Sequence, residues 1–219
     1  MSAHTFDSLM AQIDHPNTLN GDLKKIAKEI KKDHELAIQL WESEKYNPRL
    51  LSVLIMDKKQ LSLDKLEAMT QDLLVNDQKE QNHVGDWLLA NQLIKAKGLV
   101  ALLEGFEDHP SPFLRRLFWY YQARLRWTGK LPHDNTGQLV ASIAKKLGTE
   151  DPEVQMAMNF CAGWIGVYDK EYADQVLQIG EEVGLYRGDK VPKGCAPPYL
   201  PEFIEYENER LSKLAQKGK

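Results

Sequence analysis

The chain has 219 residues, 42% of them hydrophobic and 27% charged, a composition of folded rather than disordered protein and long enough to bury a core. A formal net charge of −4 argues against general phosphate affinity, so any nucleic-acid binding depends on where the 28 Lys and Arg residues gather. No apolar run reaches the roughly 18 residues of a membrane span, and residues 1–14 lack a basic start followed by an apolar stretch, so the expected location is cytoplasmic and away from membranes.

Helical periodicity recurs along the chain, with no convincing period-2 strand. A first helix is expected over 6–13, stopped by His15-Pro16-Asn17. The next covers 23–32 with Leu23, Ile26, Ala27 and Ile30 on one face and Asn20 as its cap. Asp33 caps a third helix burying Leu36, Ala37, Leu40 and Trp41. Asn47-Pro48 reads as cap plus first-turn proline for a helix through Ile55. Ser62 opens another, with Leu63, Leu66, Met69 and Leu73 inward. Helices then follow over 81–95, 98–106, 113–127, 137–147, 152–167, 171–183 and 201–213, the residues from Glu202 to Lys219 being mixed in charge. The one long irregular stretch is 185–200, which carries Gly188, Pro192, Gly194, Pro197 and Pro198.

About a dozen amphipathic helices joined by short turns leave a bundle or a stack of antiparallel pairs. Pair spacings of roughly 35–45 residues favour HEAT-type repeats. The expected fold class is all-α, a HEAT-like α-α superhelix. It forms a single domain over 1–219, with an irregular loop at 185–200 and a C-terminal helix.

Chemistry-bearing residues are sparse. Cys161 lies in an apolar helical run and reads as a buried thiol, far from Cys195. The histidines (His4, His15, His34, His83, His109, His133) never recur at i, i+4, so no metal and no cofactor are expected. No nucleophile–base pair or phosphate loop supports an unrelated helical enzyme. Arg115 and Arg126 stand eleven positions apart and should project alike, with Arg116 and Arg124 flanking them, while Leu114, Leu117, Phe118, Tyr121 and Leu125 form the buried stripe. Arg115, Arg116 and Arg126 are therefore candidate phosphate contacts, the bland reading being a solvated face. Trp119 projects near Arg115 and Arg126 and is a candidate cleft residue. Lys24, Lys28 and Lys31 form a second basic stripe, with Glu29 and Glu35 near enough to neutralise it.

The segment LKKIAKEIKKDHELAIQLWES at 23–43, followed by RLLSVLI at 49–55, resembles the opening of the DNA alkylation repair family, the HEAT-like-repeat alkylpurine DNA glycosylases. Weaker similarity continues through 82–90, 113–116 and 154–166, and Gly194-Cys195-Ala196-Pro197-Pro198 resembles a tail of some branches. The resemblance implies a curved solenoid whose basic concave face grips duplex DNA. It implies hydrolysis of the N-glycosidic bond of N3- or N7-alkylpurines, with an aspartate beside the cationic sugar and tryptophans shaping the cleft. Carried over by position, the aspartate is Asp86 and a DNA-contacting arginine is Arg116. One tryptophan position holds Asn82, and the other, in Asn159-Phe160, holds Phe160. The expected function is a divergent alkylation-repair-like protein that binds duplex DNA, alkylated or not, in a concave groove, with DNA N-glycosylase activity as the candidate chemistry. The alternative is a non-catalytic helical-repeat module for DNA structure or a protein partner.

Overall fold

The computed structural model describes residues 4–129 and 134–217; His133 lies outside them. Among the described residues there are twelve α-helices, four single 3-10 turns and no strand, and the fold class is all-α. Contacts divide the chain into two compact units, one up to Leu117 and one from Phe118 on.

The first unit contains α1 (Phe6–Ile13), α2 (Asn20–Ile30), α3 (His34–Glu42), α4 (Tyr46–Ile55), α5 (Leu63–Asp72), α6 (Gln78–Asn91) and α7 (Lys97–Glu104). It also takes the opening turns of α8 (Pro112–Trp127). Several of its starts are set by short polar side chains that accept from otherwise unbonded first-turn N–H groups. Asp33 accepts from the Leu36 N–H at 3.0 Å, Ser62 from Lys65 at 3.3 Å and Asp77 from Glu80 at 2.9 Å. The last explains why α6 begins at Gln78, ahead of the expected 81; it ends at Asn91, and Leu93–Lys95 is a separate 3-10 turn.

Two caps differ from expectation. Leu19 occupies the cap position of α2, and Asn20 is already helical; the helix stops at Ile30 because Lys31 takes φ 67°. Asn47 sits inside the first turn of α4 behind Lys45. Its amide instead donates to Ile13 O at 3.0 Å and His15 O at 2.9 Å, tying down the end of α1. The remaining helix starts fall within two residues of expectation.

Helix α4 packs against α1, α2, α3 and α6, and every residue from Pro48 to Val53 is buried. That includes Arg49, which donates to Trp41 O at 3.1 Å and to Asn76 Oδ1 and lies 5.1 Å from the Trp41 ring centroid. A buried guanidinium is tolerated only with its donors so engaged.

The second unit contains the rest of α8 with α9 (Thr136–Lys146), α10 (Pro152–Tyr168), α11 (Ala173–Val183) and α12 (Leu200–Lys217). Helix α10 packs against α9, α11 and α12 and is buried without a break from Cys161 to Val167. Gly163 and Gly166 allow α12 to come close: a Cβ at either would stand 2.5 Å from Phe203 Cδ1 or Ile204 Cδ1.

Candidate functional site

The expected carboxylate and one expected arginine meet in the first unit. Gly85 on α6 faces Phe113 on α8 so closely that a Cβ would lie 3.0 Å from the ring. That approach places Arg116, 2% exposed, under Asp86, with Nη2 donating to Oδ1 at 2.8 Å. The Asp86 side chain remains 31% exposed. Burial pushes its carboxyl above the usual carboxylate range, and the Arg116 guanidinium, with a smaller contribution from His83, pulls it back only in part. The result is a fixed, half-desolvated carboxylate, suited to stabilising a nearby positive charge.

Beside it His83 and Trp87 hold contacts to α2 and α4 that the sequence did not assign to a site. His83, one turn before Asp86, is hydrogen-bonded through Nδ1 to the Tyr46 hydroxyl on α4. Asn20 Nδ2 on α2 stands 3.4 Å from its Nε2. The imidazole meets Trp87 edge-to-face at 5.4 Å, and Lys24 Nζ lies 5.3 Å from the Trp87 ring centroid. Burial lowers the His83 pKa, Asp86 opposes that, and Lys24 and Lys79 lower it further, which favours the neutral ring. Burial raises the Tyr46 pKa, and Glu80 and Asp77 add to the shift. Only the i, i+3 spacing of His83 and Asp86 was visible in sequence; nothing local marked Tyr46 as their neighbour.

The basic stripe of α2 also differs from expectation. Lys24, Lys28 and Lys31 are exposed, but Glu29 turns to His4 at 3.2 Å. The acid of the first turn, Asp22, takes Lys25 at 3.7 Å.

The other candidates lie elsewhere. Asn82 is half-buried and accepts from Gln78 Nε2 at 3.2 Å along its own helix. Arg115 donates to His109 O at 2.8 Å and Pro110 O at 3.1 Å, closing the turn before α8. Arg126, in the second unit, is 3% exposed and donates to Asp169 at 2.9 Å, Gln122 O at 3.0 Å and Thr136 Oγ1 at 2.8 Å. Trp119 is fully buried. Of the candidate phosphate contacts and cleft residue on α8, Arg116, Trp119 and Arg126 are therefore buried and Arg115 is half-buried, so neither the expected contacts nor the bland solvated face holds for the three buried ones; burial extends well beyond the leucine stripe.

Phe160 is half-buried in the second unit, stacked on Tyr120 at 5.8 Å and 22°, with Trp127, Trp164 and Phe203 edge-on or tilted around it at 5.4–5.9 Å. Arg124 lies 5.5 Å from the Trp127 ring centroid. Cys161 is buried, its thiol pushed up to about 12, which keeps it protonated and inert. Among the described residues no three His, Cys, Asp or Glu side chains converge as metal ligands, and no helix is long and apolar enough to cross a membrane.

Comparison with known proteins bears on the family and the fold. The sequence profile described as "DNA alkylation repair enzyme" matches residues 17–178. No curated protein matches the chain. A solved structure described as "a new family of proteins related to the HEAT-like repeat DNA glycosylases with affinity for branched DNA structures" is similar over 94% of this chain and 95% of its own. The TM-score is 0.72 at 16% identity, so the likeness is one of fold.

Proposed function

The chain belongs to the DNA alkylation repair enzyme family, and from that premise we propose that it binds duplex DNA and that Asp86 assists hydrolysis of the N-glycosidic bond of N3- or N7-alkylpurines. The observation that carries this reading is Asp86 itself: half-exposed, yet held on a buried Arg116 at 2.8 Å.

An alkylated purine is cationic and departs as a neutral base, leaving positive charge on the sugar. A carboxylate fixed before the reaction stabilises that charge without reorganising, and more strongly in a half-desolvated site than in water. Arg116 holds the carboxylate in place. Water is the nucleophile, and the step requires no metal or redox group.

Release of N7-methylguanine from methylated duplex DNA tests this. Asp86→Asn is expected to lower the rate about 100-fold or more, the scale of losing one preorganised electrostatic partner. Release that is unchanged by the substitution removes Asp86 from the mechanism.

A second reading is a binding module that recognises DNA structure without chemistry. Two observations favour it: the family's ring position holds Asn82, engaged with Gln78, and the similar fold described above has affinity for branched DNA. Wild-type protein that releases no base, yet binds a four-way junction more tightly than duplex, would establish it.

A further inference from the structure

We propose that the face of α2 carrying Lys24 and Lys28, with Lys24 held over Trp87, is the ledge on which the DNA phosphate backbone docks in the first unit. This rests on the DNA-binding reading above and names the side chains that would make the contact.

Lysine carries a strongly hydrated charge on a flexible four-carbon stem, and fixing it costs rotamer entropy. Lys24 is exposed on the middle of α2, but its ammonium lies 5.3 Å from the Trp87 ring centroid on α6. The ring's negative face keeps the ammonium in place. Part of the ordering that a phosphate contact requires is therefore present before DNA arrives. Trp87 is itself braced by His83, which Tyr46 and Asn20 hold in turn.

The surrounding charges allow an anion to approach. The nearest carboxylate to this pair along α6 is Asp86, and Arg116 offsets its charge from below. Glu80 accepts from Asn76 Nδ2 at 2.9 Å, and Asp77 caps its own helix. Lys28 lies one turn beyond Lys24, a rise of about 6 Å along the same face, and Glu29 is drawn off to His4. In a chain of net charge −4 this is a local positive strip beside the candidate catalytic carboxylate. Stabilising the C-terminal end of the α2 dipole accounts for Lys28 alone and does not explain why Lys24 sits on a tryptophan.

The test is titration of a fluorescent duplex with the full chain at several salt concentrations. Lys24→Ala, Lys28→Ala, Trp87→Leu and the control Lys25→Ala are compared, with folding verified by circular dichroism. Lys25 is 80% exposed and paired with Asp22, so its removal changes net charge without touching the ledge. Lys24→Ala and Lys28→Ala should each weaken binding several-fold and reduce the salt slope by about 1. Trp87→Leu keeps every charge and should still weaken binding by a comparable factor. Lysine variants that match Lys25→Ala overturn the ledge while leaving DNA binding intact. So does a loss in Lys24→Ala with none in Trp87→Leu, because Lys24 would then act as an ordinary surface charge. Wild-type protein without affinity for duplex overturns both this inference and the function it rests on.

Discussion

The pairing of Asp86 with Arg116 shows how one side chain's role depends on another thirty positions away. The carboxylate was readable as a candidate because its position matched a family motif. The arginine was readable as a positive charge, but not as one sealed beneath that carboxylate. His83 gives this scale a testable pH dependence. Its folded-state pKa lies below the ordinary value of about 6.5, chiefly through burial, so the unfolded chain takes up a proton more readily than the folded one. The stability it contributes is complete above that ordinary value and is lost as pH falls through the lowered one. His83→Gln should therefore flatten the decline in urea-unfolding free energy as pH is taken from 7 to 5. Asp86 titrates with the opposite sign, because its pKa is raised: its folded form binds the proton more readily and gains stability on acidification.

Among the elements, the helices read most accurately were those whose start is decided within one turn. Asp33 and Ser62 cap through an N–H three residues on, an interaction the local sequence contains in full; Asp77 does the same for α6, whose expected start at 81 missed it by three residues. Asn47 was misread because its amide reaches across to Ile13 and His15, carbonyls that only packing brings near. Helix α10 extends the same point. Its apolar character was evident, but the need for Gly163 and Gly166 follows from the approach of Phe203 and Ile204 on α12. Gly163→Ala would put a methyl 2.5 Å from Phe203 Cδ1 and should destabilise the protein by about 2–3 kcal/mol, measured as a shift in urea midpoint without a change in slope.

For the whole molecule, an acidic chain that binds DNA must do so through a few placed cations rather than through its overall field. With contacts confined to a ledge such as that of Lys24 and Lys28, the logarithm of duplex affinity should fall with a slope of about −2 to −3 against the logarithm of salt. That amounts to a loss of about 15- to 60-fold between 50 and 200 mM salt. A slope near zero would mean that phosphates are not the principal ligand.

The amino-acid sequence by itself determined that the chain is helical, where nearly all the helices lie and to which family it belongs. Those properties are written in 3.6-residue periodicity, in caps a few residues long and in local motif matches. Only the tertiary structure decided which polar groups face water. It buried Arg116, Arg126 and Trp119, which a single-helix projection left exposed, and it linked Tyr46, His83, Trp87 and Lys24 in one run of contacts. The physical reason is that periodicity describes one helix against a single apolar side, whereas burial is set by every helix that covers it. For α8 those neighbours are distant in the chain.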